Sequence, residues 1–154
     1  MKRRLLVLAV AAAVVTGCSP ADPAAGRWVE SVRAAHAEAD ADASLAGDGA
    51  LRRFLEAPVP ESVSPEDARA LRQDSAYRLG RRLLRRGEAP AAEEVADGAL
   101  ADPAMDVLTA SLLVLRGEAR EAQGELREAA ADYHEALRVN ERLLERALAR
   151  REAR

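Results

Sequence analysis

Isoleucine does not occur in this 154-residue chain, and only four aromatic residues, Trp28, Phe54, Tyr77 and Tyr133, stand in it. Valine and threonine are too scattered to alternate, which excludes strands of period two. The apolar share is 49 % but much of it is alanine, so thin, closely packed layers of helix are expected in place of one bulky core. Cys18 is the only cysteine. No disulfide can form within the chain, and stability must come from packing. The two histidines, His36 and His134, have no cysteine or paired histidine at ligand spacing, which argues against a metal site. Asp40-Ala-Asp42-Ala-Ser44 has the alternation of a calcium loop, yet Leu45 stands where the loop needs glycine and Leu51 where it needs a bidentate glutamate. No glycine loop for a phosphate and no nucleophile elbow occurs. The expectation is therefore no enzyme, no metal and no cofactor. Alanine, leucine, arginine and glutamate, all strong helix formers, dominate what remains, and the fold class read from them is all-α.

The N-terminus carries an address. Lys2, Arg3 and Arg4 precede an eleven-residue apolar run, Leu5 to Val15, too short to cross a hydrocarbon layer of roughly 30 Å as a helix. It ends in Val15-Thr16-Gly17-Cys18, which resembles the cleavage box of bacterial lipoproteins, with Val15 where leucine is commoner. The resemblance implies a signal peptide over residues 1–17, lipid on the Cys18 thiol, cleavage before it, and a lipidated flexible tether over 18–26. The alternative is an ordinary signal peptide that Cys18 merely follows. Two or three acyl chains suffice for stable anchoring without a membrane span. Ser19, in place of aspartate, resembles the sorting choice for the outer membrane, so the expected location is the bacterial cell envelope, facing the periplasm. Losing Lys2, Arg3 and Arg4 leaves 20 basic side chains against 26 acidic. That balance argues against nucleic acid as a partner.

The rest of the chain repeats itself. Shifted by 37 residues, Gly80 falls on Gly117, Gly87 on Gly124, Glu88 on Glu125, Ala92 on Ala129, Ala99 on Ala136 and Leu100 on Leu137. In each copy a helix runs to a glycine suited to a left-handed C-cap and a second helix begins at once. Such a short turn makes the pair antiparallel, and the small residues let the backbones approach closely. Leu113, Gly117, Gly124, Leu126, Ala129, Tyr133 and Ala136, within Ala110 to Leu143, resemble the tetratricopeptide repeat, a helix pair of about 34 residues. A weaker copy, Gln73 to Asp106, keeps Leu79, Gly80, Leu83, Gly87, Ala92 and Ala99 but has Ala96 where the aromatic is expected. Arg116 and Arg120 stand at usually apolar places, and Glu141 replaces the closing proline. Asn140 is thus a candidate cap for a separate last helix, Glu141 to Ala153.

A degenerate first unit is read over 27–60, turning at Gly47-Asp48, with Trp28, Val32, Leu51, Phe54 and Leu55 as its apolar face. Residues 64–154 hold the two better units and the C-terminal helix. Asp22-Pro23 and Ser64-Pro65-Glu66-Asp67 read as helix starts.

The side of the repeats turned away from packing carries the functional expectation. On the helix of Ala76, Leu79, Gly80 and Leu83 it presents Asp74, Arg78, Arg81 and Arg85, flanked by Tyr77; on the next unit it presents Ser111, Leu115, Glu118 and Ala122, with Val114 beside them. In the tetratricopeptide family this side is the groove that holds extended or helical peptides. Cations beside an apolar strip suit a peptide with acidic groups and an aliphatic side chain. The alternative is that these are solvated arginines in an arginine-rich chain. The resemblance thus implies an envelope adaptor or assembly scaffold binding another envelope protein or peptide. A pilotin-like escort of a secretion or pilus component, and a self-associating structural lipoprotein or homo-oligomer, are the other readings.

Overall fold

A computed structural model describes residues 22–41 and 45–153 of the chain. The expected signal peptide, Cys18 and the first residues of the tether lie outside them. Among the described residues the fold is all-α, without strands: α1 (Pro23–Ala41), α2 (Leu45–Glu56), α3 (Pro65–Arg85), α4 (Ala89–Ala99), α5 (Val107–Ala122) and α6 (Leu126–Glu152).

Local chemistry sets the boundaries. Asp22 Oδ1 accepts from the Ala24 amide at 2.9 Å, so α1 starts at Pro23. The sequence reading placed Pro23 to Gly26 in the tether; they are the first turn of α1, because a capping aspartate before a proline satisfies and pre-shapes a helix start. Ser64 caps α3 by accepting from the Asp67 amide at 3.0 Å, and Asp106 caps α5 by accepting from Thr109 at 2.8 Å. Gly87 and Gly124 close α3 and α5 with φ of 79° and 82°. A side chain would strain the backbone there. The amides of Glu88 and Glu125 reach back to the Leu83 and Arg120 carbonyls at 3.0 and 2.9 Å, which ties off each helix before the next one leaves antiparallel.

Two boundaries differ from expectation. Gly47-Asp48 is not the turn of the first unit, since both residues lie inside α2. An acid in the first turn of a helix is favoured by the helix dipole, and the partners of Asp48 outweigh the turn preference of its glycine neighbours. Asn140 does not cap a separate last helix either. The α6 helix runs through it without a break, because Ala136, Val139 and Leu143 continue one packed face across that point.

Each helix packs mainly on its neighbours in sequence, α1 with α2, α2 with α3 and so on, and α3 also packs on α5. One core joins Trp28, Val32, Leu51, Phe54, Leu79 and Leu83, with the Trp28 and Phe54 rings 5.1 Å apart. A second gathers Ala76, Ala96, Leu112 and Leu115, and a third Ala110, Leu113, Ala136 and Val139. The repeated glycines sit where helices approach closely: a β-carbon on Gly80 would strike the Leu115 side chain, and one on Gly117 would lie 2.5 Å from the Tyr133 ring. Leu115 is therefore core, fully buried, and not groove surface as expected from the sequence. Burial and the hydrogen bond it donates to Glu121 push the Tyr133 phenol up to about 12.

Charged side chains stitch the layers. Arg82 of α3, itself buried, donates to Asp48 of α2 at 2.5 Å and to the Ala39 carbonyl at 2.6 Å, and Arg86 pairs with the other Asp48 oxygen. Burial raises the Asp48 carboxyl, but hydrogen bonds from Arg86 and Arg82 outweigh it and hold the group below the ordinary carboxylate range. On α5, Arg116 pairs with Asp97 of α4 at 2.7 Å and Asp132 of α6 at 2.6 Å. Arg120 pairs with Glu93 of α4 at 2.8 Å and with Asp132 at 2.9 Å. Counted by the 37-residue shift, Arg116 and Arg120 stand where α3 has Leu79 and Leu83. An ionic layer thus replaces an apolar one between α4, α5 and α6.

Candidate functional site

Helix α3 brings Tyr77, Arg78, Arg81 and Arg85 to one side, where with Ala39, Asp40 and Arg82 they line a cleft of about 290 Å³ against the end of α1. The clustering follows from helical periodicity, since positions three and four apart share a face. Tyr77 is half-buried and packs on the second core through its ring.

The arginines are not all free to meet a ligand. Arg78 donates to Asp74 at 3.1 Å on its own helix and to Asp40 of α1 at 3.3 Å. Arg81 pairs with Glu118 of α5, bridging the two helices. Arg85 is exposed and, among the described residues, has no carboxylate in salt-bridge range. The remaining expected residues lie across Glu118: Ser111 donates to the Val107 carbonyl at 2.9 Å, and Val114 is 37 % exposed. Leu115 is withdrawn into the core behind Gly80.

His36 of α1 lies against Ser75 and Asp74 of α3. Ser75 donates its hydroxyl proton to the Leu71 carbonyl at 2.9 Å, so the 2.8 Å contact between Ser75 Oγ and His36 Nε2 requires the hydrogen on Nε2. Its Nδ1 faces Asp74 at 3.7 Å. Burial, assisted by the nearby Arg78 charge, lowers the imidazole below its ordinary value against the opposing pull of Asp74 and Asp40. At pH 7 this histidine is neutral.

No family model, curated protein or solved structure matches this chain. What the face can do therefore rests on its own chemistry. Three cations, Arg78, Arg81 and Arg85, stand among three anions, Asp40, Asp74 and Glu118. This nearly balanced set favours a ligand that offers both charge and hydrogen-bond donors, such as a peptide, over a polyanion. Sequence reading placed Asp74 and Glu118 on this side but did not pair them with the arginines. Asp74 is an i,i+4 partner of Arg78; the Arg81–Glu118 pair needed the packing of α5 on α3, and Asp40, which was missed as a site residue, needed that of α1. Among the described residues, no three metal-ligating side chains converge and no helix is long and apolar enough to cross a membrane.

Proposed function

We propose that this chain is a bacterial envelope lipoprotein, anchored through Cys18, whose tetratricopeptide-like helix pairs form a short solenoid that binds an extended segment of another envelope protein. The observation carrying the reading is the cleft that Tyr77, Arg78, Arg81 and Arg85 line against the end of α1, on a helix whose other face is used for packing. Arg85 is the entry point for a partner carboxylate. Arg78 and Arg81, already oriented by Asp40, Asp74 and Glu118, are exchangeable partners whose salt bridges are half-exposed and individually worth only about 0–1 kcal/mol.

The anchor is tested by metabolic labelling with a fatty acid. Wild type should take up label and Cys18→Ser should not; an unlabelled wild type, or a Cys18→Ser protein still processed after Gly17, sinks the lipoprotein reading. The groove is tested by affinity capture from detergent-solubilised envelopes with wild type and Arg81→Ala/Arg85→Ala. The double variant should lose the captured protein while its melting moves by no more than about 0.5–1 kcal/mol. Wild-type capture should weaken with added salt, since exposed charges are screened within about 8–10 Å. Equal capture by both proteins at low salt would remove these arginines from the binding surface.

A further inference from the structure

Helix α6 is much longer than the helix it packs on. Its 27 residues span about 40 Å, whereas the 16 residues of α5 span about 24 Å. Residues 144–153 are exposed throughout. An unsupported helical end of that length is marginal in water, where even isolated helices of about 12–15 residues hardly persist. The outer face of α6 is also not polar: Leu126, Leu137, Leu144 and Leu148, the last two on the overhang, are 66, 58, 60 and 50 % exposed and fall on one stripe at 100° per residue. Within the molecule the corresponding face is always covered. On α4, Glu93, Ala96, Asp97 and Leu100 meet α5; their counterparts on α6 are Ala130, Tyr133, His134 and Leu137. A helix docking by the same ionic code would find alanine and histidine in place of the two carboxylates.

The charges beside the stripe select another occupant. One flank carries Arg127, His134 and Arg138 in its first half and Glu141 and Glu145 in its second. Laid parallel on a copy of itself, this flank would meet the copy's opposite flank, where Asn140 and Ala147 offer its charges no partner. Laid antiparallel about a centre near Glu141 and Arg142, it places Arg138 against Glu145 of the second copy and the reverse. The same register seats Leu137 between Leu144 and Leu148 of that copy, a knob facing a hole. Among the described residues Arg138 pairs with Glu135 of its own helix alone, on an exposed surface.

We propose that the chain forms a two-fold homodimer through antiparallel pairing of the α6 stripes. The interface is isologous, as a two-fold contact must be, and lies on a different helix from the α3 cleft. Sedimentation of the full chain in density-matched detergent should give twice the chain mass at micromolar concentration. Leu144→Glu/Leu148→Glu should give a monomer with unchanged helical circular dichroism. Arg138→Glu should raise the dissociation constant about tenfold or more, and Arg138→Glu/Glu145→Arg should recover most of the wild-type value, because the pair is restored with its signs exchanged. A monomeric wild type, a dimer that survives Leu144→Glu/Leu148→Glu, or a charge reversal that gives no recovery would each overturn the proposal.

Discussion

Asp48→Ala should destabilise the protein by about 1.5–3 kcal/mol, read as the loss of unfolding free energy in urea. The carboxylate side chain is 6 % exposed and its partner Arg82 8 %. Truncation removes the carboxylate that accepts from both Arg82 and Arg86, two charge-assisted contacts that join α2 to the end of α3. The loss of these charge-assisted hydrogen bonds at a buried site sets the size of the effect. The pH dependence gives a second signature. Because the folded state holds Asp48 below its ordinary value, its contribution is complete above the unfolded carboxylate value of about 3.9 and is lost as pH falls through the folded value. The acid limb of the wild-type stability curve should therefore flatten in Asp48→Ala. A variant within about 0.5 kcal/mol of wild type would mean that Arg82 finds water or another acceptor, and that the α2–α3 layer is not held by this pair.

The second large effect separates neighbours on α5. Leu115→Ala should cost about 2–5 kcal/mol, whereas Val114→Ala should cost well under 1 kcal/mol. Leu115 is fully buried and fills the space that Gly80 leaves open on α3, while Val114 is 37 % exposed. Removing the leucine opens a cavity between two helices already at close approach, and Gly80 has no side chain with which to refill it. Thermal melts of both variants decide the matter. Equal shifts would place Leu115 nearer the surface than its contacts indicate.

The helix starts, both glycine turns and the packing role of Gly80 and Gly117 were legible in the sequence because each depends on residues within one or two turns of one another, or on the 37-residue self-match. Ser64 before Pro65 and Asp22 before Pro23 state a helix start locally, and Gly87 and Gly124 state its end. Asp48 was not legible as a structural acid: flanked by Gly47 and Gly49, it has the composition of a turn, and only Arg82 and Arg86, more than thirty residues on, reveal its place. Asn140 misled for the related reason that a capping side chain matters only where the backbone actually ends its ladder. Leu115 was assigned outward because its spacing from Ser111 and Glu118 is that of one face; the contact that turns it inward is with a glycine on another helix. The candidate cleft divides in the same way. Its arginines share one helix with Asp74 and were visible by period alone, whereas their pairing with Asp40 of α1 and Glu118 of α5 depends on how those helices pack on α3.

The sequential packing of the helices bears on how the chain reaches its shape. Since α1 packs on α2, α3 on α4 and α5 on α6, each with its neighbour in sequence, most native contacts are local, and proteins of low contact order fold in about microseconds to milliseconds. On the proposed secretion route the polypeptide must be threaded through a membrane before it folds and then has no disulfide to lock it. Each helix pair can close as soon as its second helix emerges, so aggregation-prone surface is exposed only briefly on the far side. The last apolar stripe to appear is that of α6, which in the proposed dimer meets a second finished chain.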